Sequence, residues 1–232
     1  GGPPPPGGGG GGGCVGDSMR LSDGYFILLD RLGGTLEDRI PHWKKTFDKR
    51  APPSLTQIKT ACAIADAMSY LHSKCIVFRD LKPANVGFDS TGVLKLFDFG
   101  FAIGIDEPPP RPASICDGDD DGSVDSQESH LLYDRCGTPR YMAPEVGLGS
   151  GYGLPADVYS IGILLWQICS LKKPFEKVRS ADEFHRTVFE KGSRPKLGKH
   201  WPKVLTDTME QCWSTFPEER PRMDRVKSML AA

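Results

Sequence analysis

Strand signals in this chain stop before residue 100, and from residue 156 onward every periodic segment is helical, so strands and helices never settle into alternation. Short apolar runs bounded by Gly or turn residues lie at Tyr25–Leu29, Ile76–Phe78, Val86–Phe88 and Val93–Phe97. The last two are separated by Asp89-Ser90-Thr91-Gly92, a turn sequence that predicts a hairpin. Over Ser54–His72 the residues Leu55, Ile58, Cys62, Ala65, Met68 and Leu71 recur at spacings of three and four and predict one amphipathic helix. Thr35 is placed to cap a shorter helix starting at Leu36. Further helices are predicted over Ala156–Ser170, Ser180–Glu190, Val204–Ser214 and Met223–Leu230. A doubly wound parallel sheet needs alternating strands and helices. This order predicts instead a mainly α fold carrying a small β patch.

Two segments bring almost no apolar surface to such a core. Residues 1–13 are only Gly and Pro, and residues 1–23 are expected to be a disordered linker ahead of a domain spanning 24–232. The polyglycine is not read as a phosphate loop, because no strand precedes it. Residues 106–132, Pro-rich and then acidic, are expected to form a disordered insert within the domain. The first residue is not Met, and the expectation is that the chain either begins inside a longer protein or starts at a poor boundary.

Charge and cysteine usage exclude several classes of function. Lys and Arg number 29 against 30 Asp and Glu, which leaves no general basic excess of the kind that binds nucleic acid. The seven cysteines are odd in number and include no CxxC pair, so neither a zinc site nor a disulfide scaffold is predicted. Reduced thiols and a cytoplasmic location are expected. The longest apolar stretch, Tyr159–Leu171, is interrupted by Gln167 and falls short of the ~20 residues a bilayer requires, so no membrane span is expected.

Five motifs follow one another along the chain. They are Phe78-Arg79-Asp80-Leu81-Lys82-Pro83-Ala84-Asn85; Asp98-Phe99-Gly100; Gly137-Thr138-Pro139-Arg140-Tyr141-Met142-Ala143-Pro144-Glu145; Asp157-Val158-Tyr159-Ser160 opening an apolar helix; and Cys212-Trp213 with Pro217-Glu218-Glu219-Arg220-Pro221. In this order they resemble the catalytic loop, metal motif, substrate loop, central helix and closing Arg of eukaryotic protein kinases. The resemblance runs from about Tyr25 to Leu230 and implies a protein-kinase-like C-terminal lobe. Lys82-Pro83 and Gly137-Thr138-Pro139 look like serine/threonine kinases, whereas the Cys212-Trp213 segment and the Asp157–Ile168 helix are closer to the tyrosine-kinase-like group.

The resemblance also implies roles. Asp80 would accept the proton of a substrate serine or threonine hydroxyl, and Lys82 would neutralise charge on the transferring phosphoryl group. Asn85 and Asp98 would hold Mg²⁺, and the hinge residues Asp30 and Leu32 would meet the adenine of ATP. Thr138 would bond Asp80 and Lys82, while Asp157 would hold the backbone of the catalytic loop. Glu145 and Arg220 would form a buried ion pair, and Arg79 would receive a phosphate from the activation segment. Gly100 completes the metal motif, and Phe78, standing where the family usually has His, would pack on Phe99.

Departures from the pattern accompany these matches. Nothing before Tyr25 resembles the ATP-covering sheet, its Lys or the paired helix Glu, and the first lysine is Lys44. The resemblance therefore implies an N-terminal lobe missing from this chain, and a fragment inactive alone. The alternative is a truncated pseudokinase acting as a protein-binding module. Gly87 stands where the family often places a leucine under the adenine. Within the insert, Asp117, Asp119, Asp121, Asp125 and Glu128 sit at positions 1, 3, 5, 9 and 12 of a calcium loop, with Gly122 at 6 and Ser123 at 7. Pro108-Pro109-Pro110-Arg111-Pro112 bars the entering helix such a loop needs. Ca²⁺ binding and a plain solvated insert both stay open.

Overall fold

Local capping sets where the first two helices begin. The computed structural model describes Gly2 and residues 31–47, 51–105 and 131–231. The expected strand at Tyr25–Leu29, hinge residue Asp30 and the calcium loop at 117–128 lie outside them. Strand β1 (Gly34–Thr35) runs straight into α1 (Leu36–Thr46). The Thr35 side chain accepts from the Asp38 amide, and the Asp38 carboxylate accepts from the Thr35 amide, a capping box that satisfies two end groups at once. Ser54 and Gln57 repeat the arrangement at the start of α2 (Leu55–Ser73).

The face that α2 buries contains the apolar spacing from Ile58 to Leu71 and is wider than it. Gln57, Ala61, Ile64, Ala65, Met68 and Leu71 are buried, whereas Leu55 is exposed and Ile58 and Cys62 are half-buried. The helix is gripped by two neighbours, α4 (Leu154–Ser170) and α7 (Met223–Ala231), so its buried arc takes in the small residues and Gln57. The Gln57 amide donates to the Ile168 carbonyl, which meets the hydrogen-bonding demand of a buried amide.

Helix α4 is the axis of the domain. Every residue from Ala156 to Ile168 is buried, the pattern of a helix enclosed on all sides. It packs on α2 and on α6 (Lys203–Cys212), and at Gly162 the backbones approach so closely that a Cβ would lie 2.8 Å from Cys212 Cβ.

Among the described residues five short strands make two patches. In one, β1, β3 (Val86–Phe88) and β4 (Leu94–Leu96) are antiparallel, with Thr35 opposite Gly87 and Val86 opposite Leu96. In the other, β2 (Ile76–Val77) pairs with β5 (Ile103–Gly104). The fold is mainly α with a small sheet, as the order of elements predicts.

Two further expectations shift. The helix predicted over Ser180–Glu190 is α-helical only through α5 (Ala181–Phe184) and widens to a π turn at His185–Glu190. That register brings Phe184, Val188 and Phe189 into one apolar cluster, with the Phe189 ring filling the space beside Gly147 of α3 (Pro144–Leu148). At the end of the expected insert, Leu132 is already paired, forming a bridge with Tyr152. The insert's last two residues therefore belong to ordered chain, because each backbone amide of that bridge bonds the other's carbonyl at 2.9 Å.

Candidate active site

The loop between β2 and β3 is fixed from below by one buried carboxylate. Asp157, fully buried in the first turn of α4, accepts from the Phe78 amide at 2.7 Å and the Arg79 amide at 2.9 Å. His72, at the end of α2, lies 3.0 Å from the same carboxylate. An acidic side chain in a first helical turn also meets the positive end of the helix dipole. Phe78 and Leu81 are both buried and anchor the loop in the core, and Arg79 between them takes a left-handed backbone at φ 68°. The Phe78 ring meets the exposed Phe99 edge to face, centroids 5.2 Å apart.

Asp80 is the point of convergence. Its Oδ1 accepts from the Thr138 amide at 2.9 Å and the Thr138 hydroxyl at 2.7 Å. Its Oδ2 accepts from Lys82 Nζ at 2.6 Å and Asn85 Nδ2 at 3.0 Å. Lys82 also donates to the Thr138 hydroxyl at 3.1 Å. Four donors hold one carboxylate that is only 4% exposed, so its orientation leaves little freedom. Gly137 makes the approach of Thr138 feasible. At φ +98° it crosses the Arg79 carbonyl where any Cβ would overlap that oxygen.

Asn85 and Asp98 stand at the same end of the β3–β4 hairpin. Asn85 directly precedes β3, Asp98 follows β4 by one residue, and the Phe97 amide bonds the Asn85 carbonyl at 3.2 Å. The Asn85 amide nitrogen donates to the Asp80 carbonyl at 2.9 Å as well as to its carboxylate. Both partners are acceptors, which fixes the amide with Oδ1 turned away from Asp80. The Asp98 carboxylate is exposed and has no hydrogen-bond partner among the described residues, and its backbone is left-handed at φ 61°. Gly100 follows closely, with a Cβ position 3.3 Å from Asp98 Oδ1. Two protein oxygens of this kind suit magnesium, which commonly takes one or two protein oxygens and completes its shell with phosphate and water. Among the described residues no cluster of three or more His, Cys, Asp or Glu forms a metal site.

Gly87, which breaks the sequence pattern, is accounted for by a neighbour. A Cβ there would overlap the Leu32 side chain, so Leu32 fills the space over β3 that a side chain at 87 would take.

The activation segment is tied back at two places. Arg79 Nη1 binds both oxygens of Asp134, at 2.8 and 2.7 Å, and its Nε donates to the Phe101 carbonyl. The Tyr152 hydroxyl donates to the Asp134 carbonyl at 2.9 Å and accepts from Arg79 at 3.2 Å. Desolvation works to raise the Asp134 carboxyl pKa, but the Tyr152 hydrogen bond and the Arg79 charge outweigh it and hold it below its ordinary value. At the far end, Arg220 grips Glu145 with two parallel bonds of 2.6 and 2.8 Å and donates to the Pro155 and Ser214 carbonyls at 2.9 and 3.0 Å. Both side chains are buried.

The structure thus brings together Asp80, Lys82, Asn85 and Thr138, sets Asp98 at the same hairpin end, and places Arg79, Asp157, Glu145 and Arg220 in the bonds that hold the surrounding segments. Sequence reasoning missed His72, Asp134 and Tyr152. Their partners lie 18 to 85 residues away, and no local spacing points to them.

Comparison with known proteins agrees with this geometry. The family model described as protein kinase domain matches residues 15–230. Mitogen-activated protein kinase kinase kinase 7 of Homo sapiens is 32% identical over 170 residues, covering 72% of this chain and 24% of that protein. A probable LIM domain-containing serine/threonine-protein kinase of Dictyostelium discoideum is 31% identical over 185 residues, covering 79% of this chain and 25% of its own length. A putative serine/threonine-protein kinase/receptor of Acanthamoeba polyphaga mimivirus is 32% identical over 174 residues, covering 73% of this chain and 9% of its own length. The chain therefore spans about a quarter or less of these relatives. No helix among the described residues is long and apolar enough to cross a membrane. With the family model spanning nearly all of it and its curated relatives named as kinases, several of them explicitly serine/threonine kinases, the chain belongs to the eukaryotic protein kinase family.

Proposed function

We propose that this domain, in the protein at its natural length, transfers the γ-phosphoryl group of ATP to a serine or threonine hydroxyl of another protein. The observation that carries the reading is the Asp80 carboxylate held by Thr138, Lys82 and Asn85, of which Lys82 and Thr138 line a groove. An entering hydroxyl takes the place of one of those donors on Asp80, which orients the oxygen and receives its proton. Lys82, already within reach of both Asp80 and Thr138, neutralises negative charge as it develops on the phosphoryl oxygens. Asn85 Oδ1 and the Asp98 carboxylate would hold Mg²⁺, which when bound shields the phosphates' charge. Asp157 and His72 keep the loop from sliding, and misplacement of such a group by ~1 Å can cost about a hundredfold in rate.

Among the described residues the sheets supply no Gly-rich strand, and their one lysine, Lys95 of β4, lies 3.9 Å from Asp89 at the hairpin turn. The proposal therefore has residues 31–231 alone inactive and assigns activity to the protein with a covering lobe. The test is transfer of labelled γ-phosphate to a mixed serine/threonine substrate, comparing wild type with Asp80→Asn and Asp98→Asn. Loss of transfer in both, with nucleotide binding retained in Asp80→Asn, is the expected result. Transfer unchanged in Asp80→Asn would overturn the assignment, and absence of transfer in the natural-length wild type would favour a protein-binding module.

A further inference from the structure

The groove lined by Lys82 and Thr138, the partners of Asp80, has a charge the rest of the chain does not share. Its volume is about 410 Å³. Lys82 and Thr138, both bonded to Asp80, line its inner end, and Arg140, Lys173 and Arg179 line the rest, with Glu37 the one acidic side chain on the wall. The whole chain carries a net charge of −1, so this excess is local. Lys173 and Arg179 are exposed, and neither side chain forms a salt bridge among the described residues, the Glu183 carboxylate accepting instead from the Arg179 backbone amide at 3.1 Å. Arg140 spends its Nη1 on the Pro174 and Phe175 carbonyls, at 2.6 and 2.9 Å, which holds the guanidinium in place without cancelling its charge.

These cations line one concave surface, where their potentials add and attract one sign of ligand. We infer that the groove selects protein segments whose phosphoacceptor serine or threonine is flanked by acidic residues. The inference rests on the kinase reading for the phosphoacceptor and on the charge of the wall for the flanks. An acidic flank gains from Arg140, Lys173 and Arg179 together, whereas a basic flank meets three like charges and one Glu37. Exposed pairs contribute little singly, about 0.2–1 kcal/mol each, so two or three acting together amount to a preference of roughly tenfold at low salt. Screening at a few tenths molar salt erodes it.

The test is fluorescence anisotropy with the natural-length protein and labelled 13-residue peptides carrying a central serine between glutamate, alanine or lysine flanks. Wild type is expected to bind the glutamate peptide roughly tenfold more tightly than the lysine peptide at 50 mM salt and to lose most of that difference at 300 mM. Lys173→Glu/Arg179→Glu is expected to abolish or reverse the preference. Lys173→Ala/Arg179→Ala, which adds no new charge, is expected to weaken it. Equal binding of the three peptides, no binding of any, or a preference unchanged in both double variants would overturn the inference. So would binding that appears only after residues 106–130 are replaced by a neutral linker, because the groove would then belong to the chain's own acidic segment. Phosphoryl transfer to the same peptides separates the two readings. Preferential binding without transfer removes the kinase assignment alone, whereas transfer with no preference in affinity or rate removes only the acidic specificity.

Discussion

Replacing Arg220 with methionine removes the cation from a buried carboxylate and the donors from two carbonyls at once. Glu145 is 8% exposed and Arg220 2%, so neither can turn to water when its partner is lost. Breaking such a pair from one side typically costs about 3–5 kcal/mol, and the same holds for Glu145→Leu, which strands the guanidinium. The sum of the singles is therefore about 6–10 kcal/mol. In the double variant no unpaired charge remains. What is lost is the donor to Pro155 and to Ser214, about 1 kcal/mol each, so the double should cost about 2 kcal/mol. Urea denaturation followed by tryptophan fluorescence would read this as a lower midpoint at unchanged slope. The double variant should be more stable than either single, a coupling of several kcal/mol. Additive singles, or an Arg220→Met variant within 1 kcal/mol of wild type, would show that the pair is solvated in solution and refute the argument.

Three further outcomes follow from the geometry. Gly137→Ala places a Cβ against the Arg79 carbonyl at a positive φ, so Thr138 should leave Asp80 and phosphoryl transfer should fall by about a hundredfold, with global stability changing far less. Asp134→Asn should speed amide exchange at Leu132 and Tyr152 severalfold. The Asp134 carboxyl lies below its ordinary 3.8, so its contribution is present above that value and is lost as pH falls through the lower folded one. The protection factors at Leu132 and Tyr152, which correct for the base catalysis of exchange itself, should hold from pH 7 to about 4 and fall only below it. The effect is modest, about 1 kcal/mol or less, because the carboxylate faces solvent. Burial raises the Cys169 and Cys212 thiols from 9.0 to about 12, so alkylation at pH 8 should spare both until the protein unfolds. Mass spectrometry of the alkylated native and denatured protein would show it.

Much of this protein was legible where the deciding interactions are short-range. The capping boxes at Thr35 and Ser54 connect residues three apart, and the β3–β4 hairpin turns on four residues, so both could be read from spacing. The motif from Phe78 to Asn85 was equally plain as a family resemblance, because its residues are contiguous. The full width of the α2 face was not legible, because a helix between two neighbours also buries small residues and a glutamine that no hydropathy pattern marks. Nor was the reason for Gly87, since only the packed structure shows Leu32 filling the space.

By itself the sequence determined the longer helices, the β3–β4 hairpin and the order of the family's motifs. Tertiary structure alone decided how the side chains of those motifs are held. His72 with Asp157, Tyr152 with Asp134, Gly137 against Arg79 and the basic wall beside Lys82 and Thr138 join residues that are far apart in the chain. The physical reason is that propensity and capping act over one or two turns, whereas a buried carboxylate or a shared groove takes its energy from whatever the folded backbone brings within a few ångströms.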